Sequence, residues 1–574
     1  MCYIYQVSMD DSIWSLAPTR KEAEILAREL GIPLPLARIL TNRNILSPDE
    51  ADKFLFGTLE DLHDPFLLRD MNKAIARIQE AIQRKEKILI FGDYDADGVL
   101  SVVMLLRALG ALGAEVDYFI PERLKEGYGI KEEHIRIILE RKIGLVISVD
   151  CGVKAVPFAR RAKKEGVDVI ITDHHRPGET LPEVVAIINP VLWDSDYPYR
   201  NLAGVGVVYK LLQALLKSEG REAGLSHYAK LVAIGTIADV ADLRGENRLL
   251  VKHGLKGLET ISNRGLRSLV EICGLDKKKI SEGDVGFRIG PRLNAAGRMG
   301  SADTAVRLFF AETEEESRRL AKRLDDLNAK RQREEERIYQ EATNWIKNSG
   351  LAGRYKALLL GCEGWHRGAI GIVASKLKDT FCRPVLLFTY EEGKAFGSGR
   401  SISEFSLIDC LDECREFFLD YGGHTLAVGC VLVRDRLAPL KERINRLAEA
   451  RLSEQDVRRK VRVDVKIDFA DINIPFLEHF FRLSPFGVGN PKPVFLTEGA
   501  EVLSHPQLLQ EKHLKFSVGQ NGRSFEALGW EKGPWIAGIK KGDRISLVYS
   551  LQFSQFLGQE KVSLSIADIK GWDD

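Results

Sequence analysis

Apolar residues follow three rhythms along the chain. From about residue 70 to 250, short continuous apolar runs alternate with segments of helical spacing. Ile88–Phe91 is a run of the first kind, the pattern of a strand buried on both faces of a parallel sheet, and the GAEVDYFIP stretch, Gly144–Val149 and Val167–Ile171 read as further strands. Asn72–Arg84, the apolar stretch from Val99 and Lys154–Lys164 have helical period. Such alternation predicts a doubly wound parallel sheet whose strand ends converge on one edge. Thr313–Trp345 is charge-rich with helical period, a long connecting helix whose charges form i,i+4 pairs on a solvated face. Tyr355–Gly361 predicts a strand, and His366-Arg367-Gly368 opens a helix, so a second α/β unit begins there. After Asn490-Pro491 the rhythm changes to period two in HLKFSV, DRISLVYSLQF and KVSLSIADI, which predicts a small β-barrel or sandwich.

The expected fold class is therefore α/β, with two α/β domains joined by a long helix and a small C-terminal β domain. The expected divisions are 1–70, 71–312, 313–349, 350–455 and 456–574. The first of these reads as a leader segment without chemistry, helical in spacing and carrying a helix-start signal at Ser47-Pro48-Asp49-Glu50.

Composition narrows the class. A chain of 574 residues is too long for one core, and 45% hydrophobic with 29% charged residues is the balance of a globular enzyme. The net charge of +1 leaves any nucleic-acid contact to a local basic surface. The eight cysteines show no paired C-x-x-C spacing, against a zinc ribbon or disulfide framework and in favour of reduced cytosol. No apolar run reaches membrane-spanning length, and the N-terminus lacks a signal-peptide pattern, so a cytoplasmic protein is expected.

Chemistry concentrates where the strands end. The first strand runs into Gly92-Asp93-Tyr94-Asp95-Ala96-Asp97-Gly98. Acids at the C-terminal end of a strand sit where open α/β sheets place ligands. Crowded carboxylates repel one another, and a hard divalent cation is the simplest remedy. The same string opens an EF-hand loop, but the twelfth position is Met104 where a bidentate Glu is needed, and a strand precedes it. A polar turn whose acids cap the next helix is the competing structural reading. The third strand ends in Asp150-Cys151-Gly152 and the fourth in Thr172-Asp173-His174-His175. Independent turn-capping would not repeat in this way. GTIADVADL adds Asp239, set among apolar neighbours, and Asp242, which reads as a solvated loop residue. Arg298 in NAAGRMG and Arg400 in GSGRS stand in glycine-rich turns, where backbone and guanidinium can grip an anion; a surface salt bridge is the plain alternative. Phe516, Phe525, Tyr549 and Phe553 could stack bases or fill a core.

GDYDADG, SVDCG, TDHH and GTIADV, in this order, resemble the four motifs of the DHH phosphoesterase superfamily. IPERLKEGYG (120–129), GPRLNAAGRMG (290–300), WHRGAIGIVASKL (365–377), GSGRS (397–401), GGHTLAVG (422–429) and PFGVGNPKPVF (485–495) extend the resemblance to the RecJ-like single-strand-specific exonucleases within it.

The resemblance implies a DHH domain, a DHHA1 domain and an oligonucleotide-binding (OB) barrel. It implies Asp93, Asp95, Asp150, His174 and Asp239 as ligands of two Mn2+ or Mg2+ ions, a donor set that suits these metals better than zinc. Asp95, Asp150, His174 and His175 are then the catalytic group, with the role of His175 as ligand, acid or orienter left open. Asp97 and Asp173 would orient the loop or a ring nitrogen. Arg123, Asn294, Arg298, Ser398 and Arg400 are implied for the 5′-terminal phosphate, and Gly422, Gly423 and His424 for strand contact in DHHA1. The implied activity is 5′-to-3′ hydrolysis of single-stranded DNA to mononucleotides in repair and recombination. The implied partners are single-stranded DNA, a single-strand-binding protein and a helicase, with the enzyme a monomer and no membrane involved. Two other readings stand beside it: a DHH phosphodiesterase on short oligonucleotides or small nucleotides, and a binding module without catalysis, which the presence of every expected ligand disfavours.

Overall fold

The computed structural model describes residues 12–123, 125–276, 279–556 and 559–572. Cys2 and Leu124 lie outside them; the seven described cysteines are all free thiols. The chain forms two compact units, one of residues 58–451 with 487–489, the other of residues 1–57, 452–486 and 490–574.

The larger unit is built on a five-stranded parallel sheet in the order Glu115–Phe119, Lys87–Gly92, Leu145–Val149, Asp168–Thr172, Ala186–Ile188. Side chains alternate across it. Ile88, Ile90, Leu145, Ile147, Val149 and Ile170 enter one core, while Leu89, Phe91, Val146, Val169 and Ile171 enter another on the opposite face. Burial on both faces explains the unbroken apolar runs. The chain leaves the Lys87–Gly92 strand for one neighbour and returns on its other side with Leu145–Val149. That reversal is the topological switch point, where doubly wound sheets open a crevice beyond the strand ends. Asp93 and Asp150 follow these two strands directly.

The helix Glu314–Asn348 spans 35 residues, roughly 52 Å. Its first half buries Leu320, Ala321 and Leu324 in the core of the parallel-sheet domain. Its second half buries Ile338, Ala342 and Ile346 against Leu358, Ile370 and Val385 of the next domain. One rigid element thus belongs to two cores. The second sheet runs Phe418–His424, Ala427–Val433, Lys394–Arg400, Val385–Glu391, Leu358–Cys362, with only the last pair parallel.

In the other unit, five strands close into a barrel: Phe495–Val502, Arg544–Phe556, Gln559–Gly571, Arg523–Gly529 and His513–Gln520, the last pairing back onto the first. Phe516 and Tyr549 are fully buried and Phe525 and Phe553 pack against the same core, so these four aromatics fill the barrel. The stretch read as a leader divides: residues up to 57 belong to this unit and 58–70 to the larger one. Ser47 caps Pro48–Phe56 in a capping box with Glu50. The helices Glu22–Leu30, Leu34–Asn42 and Pro48–Phe56 place Leu26, Leu40 and Leu55 in one core with Phe476, Phe495 and Tyr549. Ile13–Leu16 pairs in parallel with Lys460–Val463, and Asn42 Nδ2 donates to the Asp464 carbonyl at 2.9 Å. Sequence separation of more than 400 residues hid this partnership.

Leu40 is fully buried in that shared core. Leu40→Ala should therefore cost about 2–5 kcal/mol and lower the melting transition of the barrel unit by roughly 5–15 °C. Differential scanning calorimetry of the full chain would show it; an unmoved transition would mean the N-terminal helices do not stabilise the barrel.

Candidate active site

Three acidic clusters meet beyond the sheet edge. Asp95 caps the helix Ala96–Ala111, its Oδ1 accepting from Asp97 N at 2.9 Å and Gly98 N at 3.1 Å. A Cβ at residue 98 would lie 2.6 Å from the Asp93 carbonyl oxygen, so only glycine lets the loop close this tightly. Asp97 takes two N–H groups from the start of the helix Gly204–Ser218, at 2.8 Å from Gly204 and 2.7 Å from Val205. Asp150 is held at φ 58°, a left-handed conformation that Asp tolerates better than most residues. Asp173 accepts from the backbone N–H groups of Val153, His174 and His175 and pairs with His175 Nδ1 at 2.7 Å.

His174 Nε2 lies 3.1 Å from Asp150 Oδ1 and 4.0 Å from both Asp97 Oδ2 and Asp239 Oδ2. Three sets of donor atoms fall within 4.8 Å of one another: Asp93, Asp95 and Asp150; Asp97, His174 and Asp239; Asp150, His174 and His175. Asp150 is common to two of them. Asp239, which closes the helix Ala229–Ala238, joins the site, while Asp242 turns away to Arg244 and Asn201.

The electrostatics fit a hard divalent cation. Asp93 Oδ1 and Asp150 Oδ1 are buried without a hydrogen-bond donor. Burial first, and then the neighbouring acids, push Asp93, Asp150 and Asp239 well above the usual carboxylate range and Asp97 up to about 7. Burial, then His175, lowers His174 to about 4, which keeps its ring neutral and able to act as a ligand. Burial also disfavours the charged ring of His175, but Asp173 outweighs it and the pKa rises. Oxygen donors with one imidazole suit manganese or magnesium. Asp93, Asp95, Asp97, Asp150, His174, His175 and Asp239 are the side chains that could hold it.

A cationic pocket adjoins the acids. Arg123 stacks over the Tyr94 ring at 5.1 Å. Arg298 Nη1 reaches the Gly368 carbonyl at 3.4 Å, across the two α/β domains. Arg400 bonds Ser398 Oγ at 3.4 Å and the Gly399 carbonyl at 2.7 Å. Burial and then Arg123 depress the pKa of Arg298, to about 10, and of Arg400. Among the described residues no carboxylate lies within ion-pair distance of these three arginines, so an anion is what their mutual repulsion lacks. The helix Gly290–Met299 seats this pocket on the acids, because Gly297 admits the Tyr94 carbonyl where a Cβ would approach to 2.4 Å. Asn294, expected in the anion pocket, spends its Oδ1 on Ala96 N at 2.8 Å and so clamps the acidic loop.

Gly422, Gly423 and His424 are exposed on the edge strand of the second sheet. Partial burial, then the positive charges of Arg176, Lys154 and His175, lowers the His424 pKa. Tyr128, not singled out from sequence, donates to the Asp150 carbonyl at 3.2 Å and lies 3.1 Å from His175 Nδ1. Its place between Gly127 and Gly129, both at positive φ, was the available signal.

Known proteins share this organisation. Family models for the DHH N-terminal domain, the DHHA1 domain and the RecJ OB domain match residues 87–236, 354–450 and 463–568. The single-stranded-DNA-specific exonuclease RecJ of Bacillus subtilis is 39% identical over 96% of this chain and 70% of its own length. The chain belongs to the RecJ family. The Escherichia coli RecJ is 32% identical over 96% of this chain and 98% of its own. The crystal structure of Thermus thermophilus RecJ in complex with Mn2+ superposes with a TM-score of 0.83 at 30% identity, covering 98% of this chain and 80% of that one. Among the described residues no helix is long and apolar enough to cross a membrane.

The raised acids make a pH prediction. Folded Asp97, at about 7, holds its proton more tightly than the unfolded chain, at its ordinary 3.8. The folded state therefore binds more protons, and the metal-free protein loses stability as pH rises through that window. A cation competes with those protons, so Mn2+ should raise the melting temperature more at about pH 8 than at about pH 5. Thermal melts with chelator and with Mn2+ at both pH values test this; equal shifts would contradict it.

Proposed function

We propose that this protein hydrolyses single-stranded DNA from its 5′ end, releasing 5′ mononucleotides in a reaction that needs two divalent cations, Mn2+ or Mg2+. The observation that carries the reading is the junction of an unsatisfied acidic cluster with a pocket of arginines that has no acid of its own. Asp93, Asp95, Asp150, His174 and Asp239 hold the cations. When bound, they supply charge for the attacked phosphate and activate water at neutral pH.

The rest is done by side chains of this chain. Asp97 and Asp173 fix the loop and the histidine pair. His175, held by its contact with Asp173, offers a hydrogen bond to an oxygen of the scissile phosphate. Arg123, Arg298, Arg400 and Ser398 grip the terminal 5′ phosphate with charge-assisted bonds. Because this grip is rigidly seated on the acids, cleavage falls one nucleotide from the end, which sets both polarity and step size. Gly422, Gly423 and His424 guide the strand, the glycines by exposing backbone N–H groups. The barrel provides a further surface for long polymers. A monomeric cytoplasmic enzyme of repair and recombination, fed by a helicase and a single-strand-binding protein, completes the reading.

Asp95→Asn should reduce hydrolysis of end-labelled single strands in Mn2+ by more than about a hundredfold while strand binding persists. Near-normal activity would refute the ligand assignment. Arg298→Ala removes charge-assisted bonds worth about 1.5–3 kcal/mol, so kcat/KM on 5′-phosphorylated ends should fall roughly ten- to hundredfold. Dephosphorylated ends should be affected far less. Equal losses on both would remove the terminal clamp, and equal rates on dinucleotides and long strands would favour a phosphodiesterase of short oligonucleotides.

A further inference from the structure

The helix Gly290–Met299 runs past the acids like a ruler. Arg298 of the anion pocket stands near its C-terminal end, and Asn294 clamps the acidic loop at its middle. At its start, Gly290 packs on Ala238, the neighbour of Asp239; a Cβ there would lie 3.0 Å from that of Ala238. The turn just before it, Val285–Ile289, is π-helical, and its Gly286 lies against Ile237. Single π turns are rare and concentrate at functional sites.

Phe287 occupies this turn and is 83% exposed, the most exposed large apolar side chain among the described residues. It has company. Val240, directly after Asp239, is 66% exposed and sits at φ 60°, a conformation that β-branched residues scarcely adopt. Val488, half-exposed in the GVG turn, is anchored by its carbonyl accepting from Leu243 N at 2.7 Å. Folding gains nothing from holding a valine in a strained backbone with its side chain in water. Such an outlier beside an acidic centre points to a ligand.

The ligand's chemistry follows from the surroundings. Phosphates go to the arginines and to the cations held by the acids, so an uncharged, apolar surface next to them is left for the nucleobases. An aromatic ring without a hydrogen-bonding group stacks any base without reading its identity. We propose that Phe287 is a stacking platform for one nucleobase of the substrate strand. It lies on the side of the acids away from the terminal-phosphate pocket, and is a positioning residue for hydrolysis. Phe287 precedes Arg298 by eleven positions, roughly 16 Å of helix, so the stacked base belongs to a nucleotide a few places in from the 5′ end. The proposal rests on the single-strand nuclease reading above.

The test uses the full chain with Mn2+ and 5′-phosphorylated oligodeoxynucleotides in which one abasic position is walked inward from the second nucleotide. With the natural protein, one position or two adjacent ones should raise KM for the first cleavage about tenfold, with kcat little changed. Phe287→Ala should raise KM on the intact strand by a similar factor and abolish the sensitivity to that abasic position. Phe287→Tyr should restore both. An unchanged KM in Phe287→Ala, or an abasic profile like that of the natural protein, would overturn the platform while leaving the nuclease reading in place. A natural protein that degrades no single strand at all would remove both.

Discussion

Like charges confined in a small, dry volume are the constraint on which this molecule turns. Two carboxylates within 4.8 Å repel by roughly 3–4 kcal/mol in a partly polarisable interior, and five aspartates at the ends of three strands crowd here with Asp239 from a helix end. The fold treats them unequally. Asp97 is neutralised by two N–H groups at a helix start, Asp173 by three backbone N–H groups and an imidazole, and Asp95 by the helix it caps. Asp93 and Asp150 each keep a buried oxygen without a donor. Those bonded to the backbone brace the site, and those left wanting are ready for a cation.

The complementary crowd is cationic. Arg123 comes from a loop of the parallel-sheet domain, Arg298 from the ruler helix and Arg400 from a strand of the next domain. They converge only because the helix Glu314–Asn348 is buried in both cores and holds the two domains in one compact unit. Separation of the two charge clusters is thus a property of rigid packing.

The parallel sheet was readable because burial on both faces forces a continuous apolar run in its central strands, and three of the runs stopped at an acid. Asp93, Asp150 and the Asp173-His174-His175 cluster could be grouped for that reason alone. The barrel's alternating strands were equally plain, yet whether Phe516 or Tyr549 faced a core or a ligand was not, since an aromatic in a half-buried strand looks the same either way. Asn294 illustrates the opposite limit. The resemblance implied it for phosphate or DNA contact, and its carbonyl oxygen also holds Ala96 N, a partner that periodicity cannot reveal. Residues 1–70 read as a leader without chemistry because helical period reports that a face is buried, and never against what.

By itself, the sequence determined the strand–helix alternation, the acids at the strand ends, the long charged helix and the β character of the C-terminal part, because each depends on spacing between near neighbours along the chain. Only the tertiary structure decided that His174 meets Asp97, Asp150 and Asp239, that Tyr128 touches His175, that three arginines gather without an acid, and that Phe287 stays in solvent. Those outcomes depend on which distant surfaces pack together. Local pattern sets the solubility of a face, while contact between faces is chosen by the shape of the whole core.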